Sequence, residues 1–509
     1  MTKKPNVLFI LSDQHNAKLL SCKNHPDVKT PNLDRMASEG VRFNQAITQN
    51  PICTPSRVSY LSGQYPHNHG YYGNHGPNPG GLPTILGHFR QAGYRTGAIG
   101  KIHCPEYWVE DDCDVFLETY RKCSIGGADE YDSYLESKGL TTKRDDGFFP
   151  EITGRYRATC DARCSNLAYE DTVEGWTVRR TIDFMKQAKE EEKPFIVQAS
   201  LPRPHTMYTP SEPFWSMYDE KNLTLPPNIG YDMSLKAPNF RNMLESDRTG
   251  EWTIFYPRTY EAGLMRKYHG YLGCVSQVDY AVGELIDWLK DNQMEEDTIV
   301  IYGSDHGDFA CEHGMIEKAP GISSDAITRV PFIWKWPGHF QRGSVVEEIV
   351  ETIDLSQTLC NLIGLDLMET SDGKILTGLL KGNKEPIHTI GVTEFAWSKS
   401  VRKGQYRYIY YPKEMFPEEY PNGFGELYDL EQDPWEMNNL YFDDKYEHLV
   451  KEIKDDLLNW LITTTRPKTV QTKFTYKGKQ VVMRNRKPIN ADGKLNPAAF
   501  KETSGSNYL

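Results

Sequence analysis

No stretch of the 509-residue chain comes near the ~18 consecutive apolar residues of a membrane-spanning helix. The longest early run, Val7 to Leu11, is the length of a strand. Cysteine is sparse, ten residues with no CxxC pair, which excludes a disulfide scaffold. Cys160 and Cys164 are the closest pair and could close a small loop; most of the others read as reduced thiols. The 40 glycines have no collagen-like period, and there is no internal repeat or low-complexity segment. Positive charge is in deficit, 58 Lys and Arg against 70 Asp and Glu. A net charge of −12 does not suit non-specific nucleic-acid binding. The opening Met1-Thr2-Lys3-Lys4-Pro5 has no apolar h-region and no small-residue cleavage site before the first strand. The expected compartment is therefore the cytoplasm as given, or the periplasm or exterior for a form whose leader has been removed.

What the chain does have is core material: 38% hydrophobic residues, with 30 Tyr, 20 Phe and 10 Trp, which excludes wholesale disorder. Val7-Leu8-Phe9-Ile10-Leu11 is continuously apolar, as in a strand buried on both faces. Arg95 to Gly100, Pro194 to Ser200, Thr298 to Gly303 and Val330 to Trp336 are further strand candidates. Thr30-Pro31 starts a helix that ends near Gly40, and Trp176 to Lys189 and Tyr268 to Asn292 are amphipathic. The alternation predicts an α/β fold, a large mostly parallel mixed sheet flanked by helices. Residues 104–165 and 203–260 break the rhythm and read as long insertions above the sheet. Beyond residue 370, Thr389 to Glu394, Tyr406 to Tyr411 and Glu426 to Leu430 read as short strands, and Tyr446 to Thr463 as a helix. The expected organisation is a catalytic α/β domain over 1–370, a smaller antiparallel sheet plus helix over 371–465, and a basic tail over 466–509.

Ligands of open α/β sheets bind outside the carboxyl ends of the strands. Ser12-Asp13-Gln14 follows the first strand, and Gly303-Ser304-Asp305-His306-Gly307-Asp308 follows a later one. Two acids, an amide oxygen and an imidazole at converging strand ends suit a divalent cation. Either cluster alone has a blander reading, since an Asp after a strand commonly caps a helix. The third cluster is Cys53-Thr54-Pro55-Ser56-Arg57, followed by Leu61-Ser62-Gly63 and Tyr65-Pro66-His67.

With this Cys-x-Pro-Ser-Arg element the chain resembles the type I sulfatases of the alkaline phosphatase superfamily. Further matches are Pro5-Asn6-Val7-Leu8, Thr30 to Asp34, Gly100-Lys101-Ile102-His103, Pro204-His205 and Gly303 to Gly307. Lys318 before Arg329-Val330-Pro331, and Glu426 to Leu430 with Asp433-Pro434 and Asn439-Leu440, extend the likeness over most of the chain. The resemblance implies that Cys53 is oxidised to formylglycine by a maturation enzyme. Its hydrate, a gem-diol, would attack sulfur with one hydroxyl and expel sulfate by losing a proton from the other. Asp13, Gln14, Asp305 and His306 would hold the cation, Ca2+ rather than Mg2+ or Mn2+. Many family members carry Asn where this chain has His306. Arg57 would orient the hydrate, and Lys101 and Lys318 would bind sulfate oxygens. His103 would take the proton from the second hydroxyl, and His205 would protonate the leaving oxygen. Asn74 and His75, in a Gly-rich turn, are candidate substrate contacts. Glu312-His313, Trp397, Tyr208 and Asp111-Asp112 are further candidates to support or shape the site.

The implied activity is hydrolysis of an O-sulfate ester of a small molecule or saccharide, with no nucleic-acid or membrane partner. Two alternatives stand beside it. One is a phosphonate monoester or phosphodiester hydrolase of the same superfamily; the other is a silent protein that holds sulfated glycans. Ser56 leans toward the sulfatase, and the complete catalytic set argues against silence. The tail from Arg466 carries ten Lys or Arg against two acids, together with Phe474, Tyr476, Val481 and Phe500. It is expected to pack on its own chain or to build a homo-oligomer.

Overall fold

The computed structural model describes residues 4–76, 78–105, 107–119, 129–141, 162–249, 261–319 and 321–466, with the strands Lys473–Tyr476 and Lys479–Val482. Eight strands form the main sheet: β1 (Asn6–Asp13), β2 (Val41–Ile47), β3 (Arg95–Gly100), β4 (Val115–Glu118), β5 (Phe195–Pro204), β6 (Thr298–Ser304), β7 (Arg329–Lys335) and β8 (Ser344–Glu351). Their order is β4-β3-β5-β1-β6-β7-β2-β8. Every pairing is parallel except those of β7, which runs against β6 and β2. Along β1, Val7, Phe9 and Leu11 enter one apolar cluster, and Leu8 and Ile10 enter the other. Both faces are therefore covered, which is why this run is apolar throughout rather than alternating.

The helices that matter for the site are α1 (Pro31–Glu39), α2 (Cys53–Ser62), α3 (Val173–Glu190), α4 (Glu261–Asp291), α5 (Asp325–Thr328) and α6 (Asp354–Ile363). Pro31 sits in the first turn of α1, where a missing N–H costs nothing. The carboxylate of Asp279 in α4 accepts the Leu33 and Asn32 N–H groups at 2.7 and 3.2 Å, closing the start of α1 from outside.

A second sheet of four antiparallel strands follows: β9 (Gly391–Glu394), β10 (Lys399–Lys403), β11 (Tyr406–Tyr410) and β12 (Gly425–Asp429). Helix α7 (Glu447–Thr464) lays Ile453, Leu457 and Trp460 over Val401, Tyr408 and Leu427 of this sheet. The fold is thus a mostly parallel mixed sheet flanked by helices, with a smaller antiparallel sheet and its helix.

Four strands of the two sheets escape the periodicity, β2, β4, β8 and β10. β2 carries an irregularity between Phe43 and Ala46, so its pattern slips. β8 is an edge strand, half exposed and bearing Glu347 and Glu348. β10 reads as charged because Lys399, Arg402 and Lys403 flank its single apolar residue, Val401. The segment 104–165 is not wholly an insertion above the sheet, because β4 lies within it and forms the sheet's edge. Cys160 lies outside the described residues, so the suggested Cys160–Cys164 loop does too. The tail is described only as Arg466, whose guanidinium pairs with Asp372, and an antiparallel hairpin of the last two strands. Among the described residues, no helix is long and apolar enough to cross a membrane.

Candidate active site

Four adjacent parallel strands, β3, β5, β1 and β6, end at the same edge of the sheet, and together they deliver five side chains there. β1 ends in Asp13, β3 runs into Lys101, β5 into His205, and β6 into Asp305 and His306. Gly100 must be glycine. Its φ is 104°, and a Cβ there would lie 2.0 Å from the Ser200 carbonyl oxygen of the neighbouring strand. Gly307 is equally constrained, since its Cβ would meet the Ala326 carbonyl oxygen at 1.9 Å. That contact presses the loop after β6 against α5, where the Gly307 N–H donates to the Ile327 carbonyl at 3.0 Å.

Cys53 is the first residue of α2, a helix buried along its whole length. A helix start offers unpaired N–H groups and a partial positive charge, which favour an anion. Asn74 Oδ1 accepts the Thr54 N–H at 3.1 Å, which ties the loop after the helix to its first turn. The Cys53 sulfur lies 3.2 Å from His306 Nε2 and 3.8 Å from Asp13 Oδ1. Burial alone would push the thiol up. Lys318, Lys101 and His306, with a hydrogen bond to His103, outweigh burial and hold it well below its ordinary value. The surroundings thus favour negative charge at position 53.

Donor atoms of Asp13, Cys53, Asp305 and His306 all lie within 4.8 Å of one another, and all four residues are buried. His306 Nε2 is 3.6 Å from Asp13 Oδ1 and 3.7 Å from Asp305 Oδ1. Oxygen donors ~2.3–2.6 Å from a common cation would sit at such mutual separations. His306 Nδ1 is 2.9 Å from the Gly307 carbonyl, so Nδ1 carries a proton; burial would lower the imidazole, but Asp305 and Cys53 hold it up, and a bound cation would instead take Nε2 as a lone-pair donor. The donor set therefore fits a divalent cation.

Arg57 is fully buried and braces this set. Its Nε donates to Asp305 Oδ2 at 2.8 Å and its Nη2 to Asp13 Oδ2 at 3.1 Å, while Nη1 reaches Ser200 Oγ at 2.9 Å and the Lys101 carbonyl. The guanidinium thus donates to the carboxylates and to the ends of β3 and β5, so it positions them. The Lys101 ammonium is 2.5 Å from Asp13 Oδ2. Burial would raise the Asp13 carboxyl, as would Cys53, but Lys101, His205 and Arg57 hold it well below the carboxylate range.

Gln14 adopts a positive φ of 71° and faces two ways. Its Oε1 accepts from Lys318 Nζ at 2.8 Å, and its Nε2 donates to Asp308 Oδ2 at 2.6 Å. Lys318 Nζ also lies 2.9 Å from His205 Nε2, and His205 Nδ1 is 2.7 Å from the Thr206 carbonyl. Because an ammonium only donates, His205 Nε2 is the acceptor and Nδ1 carries the proton.

Asp308, the last residue of the Gly303 to Asp308 motif, is buried and gathers several hydrogen bonds beside the site. It accepts from Gln14, from the Tyr208 hydroxyl at 2.9 Å, and from the N–H groups of Ala310 and Glu317 at 2.6 and 3.0 Å. Burial is the main cause that pushes its carboxyl up to about 6. Tyr208 is therefore a buried prop for Asp308 rather than a substrate contact. Glu312 is also a prop: it accepts from Asn16 Nδ2 at 3.2 Å, and the same amide donates to the Asp308 carbonyl at 2.8 Å. Asp112 accepts from Thr84 Oγ1 at 2.6 Å, a helix-capping network. His75 is exposed, and Trp397 is 47% exposed with its indole against Gly321, three residues beyond Lys318. The Glu118 carboxylate, accepting the Ile102 and His103 N–H groups at 3.2 and 3.1 Å, fixes the turn after Lys101; no sequence signal marked it.

The family model described as Sulfatase matches residues 5–365. A model described as N-sulphoglucosamine sulphohydrolase, C-terminal, matches residues 311–462. A choline-sulfatase of Rhizobium meliloti is 28% identical over 449 residues, 86% of this chain and 83% of that protein. An N-acetylglucosamine-6-O-sulfatase of Bacteroides thetaiotaomicron is 24% identical over 521 residues, 89% of this chain and 85% of that protein. Among solved structures, a phosphonate monoester hydrolase of Agrobacterium radiobacter superposes with a TM-score of 0.75 at 21% identity, covering 94% of this chain and all of that one. That likeness speaks for the fold alone. The match along most of the chain, on the elements that build the edge just described, decides the rest: this chain belongs to the sulfatase family of the alkaline phosphatase superfamily and is a sulfuric ester hydrolase.

Proposed function

We propose that the protein hydrolyses an O-sulfate ester of a carbohydrate, with formylglycine formed from Cys53 as nucleophile and Ca2+ as the cation. The observation that carries this reading is the convergence of Lys101, Lys318, His103 and His306 on one buried atom at a helix start, the Cys53 sulfur. The N-acetylglucosamine-6-O-sulfatase among the relatives supports a sugar sulfate as substrate. Asp13, Asp305 and His306, with Gln14 beside them, are the residues to hold the cation. When present, the cation and the aldehyde hydrate supply charge neutralisation and a nucleophile whose sulfate adduct can break down without a second attack at sulfur.

The chain's own side chains do the remaining work. Lys101 and Lys318 bind sulfate oxygens and stabilise charge as it builds toward the leaving oxygen. His103, hydrogen-bonded to position 53, has its imidazole lowered chiefly by burial, so it is neutral and ready to take a proton there. His205 Nε2 needs a proton before it can serve the leaving oxygen; Lys318, 2.9 Å away, keeps its own proton, because burial is outweighed by Cys53, Glu317 and Asp13, which hold the ammonium above its usual range. Arg57 holds Asp13 and Asp305 in place, and Asn74 and His75 lie on the loop that would meet the leaving group.

Protein co-expressed with a formylglycine-generating enzyme tests the reading. Intact mass should fall by about 18 Da as Cys53 is oxidised. Glucosamine 6-sulfate should then turn over faster than a matched phosphodiester. Turnover without the mass change would remove the formylglycine assignment, and a preference for the phosphodiester would remove the sulfate ester as main substrate.

A further inference from the structure

A second group of cations lies outside the catalytic cluster, where β2 and β7 meet the small sheet. A recess of about 460 Å³ there is lined by Lys23, Arg42, Asp325, Arg329, Arg402 and Glu347 among others. Its charges do not cancel. The Asp325 carboxylate is taken by Arg329, which donates from Nε at 2.9 Å and from Nη2 at 2.6 Å. Arg402 is 9% exposed; its Nε donates to Gln45 Oε1 at 2.9 Å. Its Nη1 is buried without a hydrogen-bond partner, 4.0 Å from Asp325 Oδ1. Arg42 spends Nη1 on the neutral Asn44 amide. Among the described residues, none hydrogen-bonds or ion-pairs with the Lys23 ammonium. The other acids of the lining, Glu347 and Glu431, are exposed, and Glu347 accepts from Asn44 Nδ2 at 2.5 Å.

Four cations thus share one buried carboxylate. Burial first, and then the charges of Arg329 and Arg42, hold Lys23 well below the usual ammonium range. Burial likewise brings Arg402 down to about 10, with Arg329 and Arg407 adding to it against the pull of Asp325. Buried cations are ordinarily matched by carboxylates or by a bound anion. Guanidinium forks beside an ammonium match the spacing and charge of a tetrahedral oxyanion.

We propose that this recess binds a sulfate or phosphate group, held by Arg42, Arg402 and Lys23, at a site separate from the catalytic cluster. The group can be the free inorganic anion or a sulfate carried on a saccharide; the chemistry recognised is the same.

Equilibrium binding tests it without turnover, and so independently of the catalytic reading. Sodium sulfate, sodium phosphate and glucosamine 6-sulfate are titrated separately at constant ionic strength into the wild type, Lys23→Gln and Arg42→Gln/Arg402→Gln. The wild type should take up two equivalents per chain, one of them competing with substrate. The variants should lose the non-competing equivalent, or bind it at least ten-fold more weakly, with the dissociation constant of the other equivalent unchanged. Loss seen only with the inorganic ions assigns the site to free anion, and loss seen with glucosamine 6-sulfate assigns it to an ester. If the double variant fails to fold, Lys23→Gln decides, since Lys23 is partly exposed. A single competing equivalent in the wild type, or undiminished uptake in Lys23→Gln, overturns the proposal.

Discussion

The carboxyl edge of the large sheet and the seam between the two sheets both bury charge, and they use it in opposite ways. At the edge, Lys101, Lys318 and His306 converge on position 53, and the negative charge they favour there falls on the group we propose as nucleophile. At the seam, Arg407 closes on the Glu436 carboxylate and on Ser323, while Glu436 Oε2 accepts from Ser324 Oγ at 2.6 Å and from the Asp325 N–H at 3.1 Å. Both guanidiniums, Arg57 and Arg407, are almost completely buried. The difference lies in what is left over. Charge that cancels locally fastens two elements; charge that does not cancel is set for a ligand. The recess beside Arg402 is part of the seam and follows the second rule.

The comparison breaks most visibly at position 53. Cys53→Ala and Cys53→Ser should each lower turnover of a sulfate ester by at least about 10³-fold with an unchanged far-UV circular dichroism spectrum. The Ser variant can attack once but lacks the second hydroxyl. Sustained turnover near wild type in Cys53→Ser would end the special status of this residue.

Asp305→Ala removes one cation donor and the main partner of Arg57. Elemental analysis should find the bound divalent ion reduced or lost, with kcat down by about 10³-fold. Full metal content in this variant would take Asp305 out of the donor set. Next in size are Lys101→Ala and Lys318→Ala. Each should cost about 10²-fold in kcat and less in KM, because their interaction strengthens as charge develops. An effect confined to KM would make them plain binding groups.

On the structural side, Arg407→Ala leaves Glu436 buried and unpaired. It should destabilise the fold by about 3–5 kcal/mol in denaturant titration, while kcat of the folded protein stays close to wild type. A large kcat loss at unchanged stability would erase the contrast between seam and edge. The smallest effect concerns pH. Burial raises the Asp279 carboxyl from 3.8 to about 6. The native state holds that proton more tightly than the unfolded chain, so the group's contribution to stability declines as pH rises from about 4 to 6. Asp279→Asn should flatten the decline by on the order of 1 kcal/mol per pH unit. An identical slope in the variant would show that the carboxyl is ionised throughout.

The sequence carried the main strands because β1, β5 and β6 are buried on both faces and must be apolar along their length. β2, β8 and β10 were not legible in the same way, since a bulge, an exposed edge and flanking charge each erase the signal. The residues proposed for the chemistry, Cys53, Lys101, His103, His205 and Lys318, were legible because they sit in short motifs shared with the family that the chain resembles.

Partnership was decided by the tertiary structure. Gln14 lies 304 residues from Lys318 and 294 from Asp308, yet its amide joins them. Arg57 spans the carboxylates of Asp13 and Asp305, on two adjacent strands. In the sequence Tyr208 is a candidate to shape substrate specificity; in the fold it is buried with its hydroxyl on Asp308. Lys23, Arg42 and Arg402 are scattered over the sequence, and only the meeting of the two sheets sets them around one recess. A residue's chemistry is local and therefore written in the chain. The field it feels is the sum of charges and low-dielectric surroundings brought from hundreds of residues away, and only the packed fold supplies that sum.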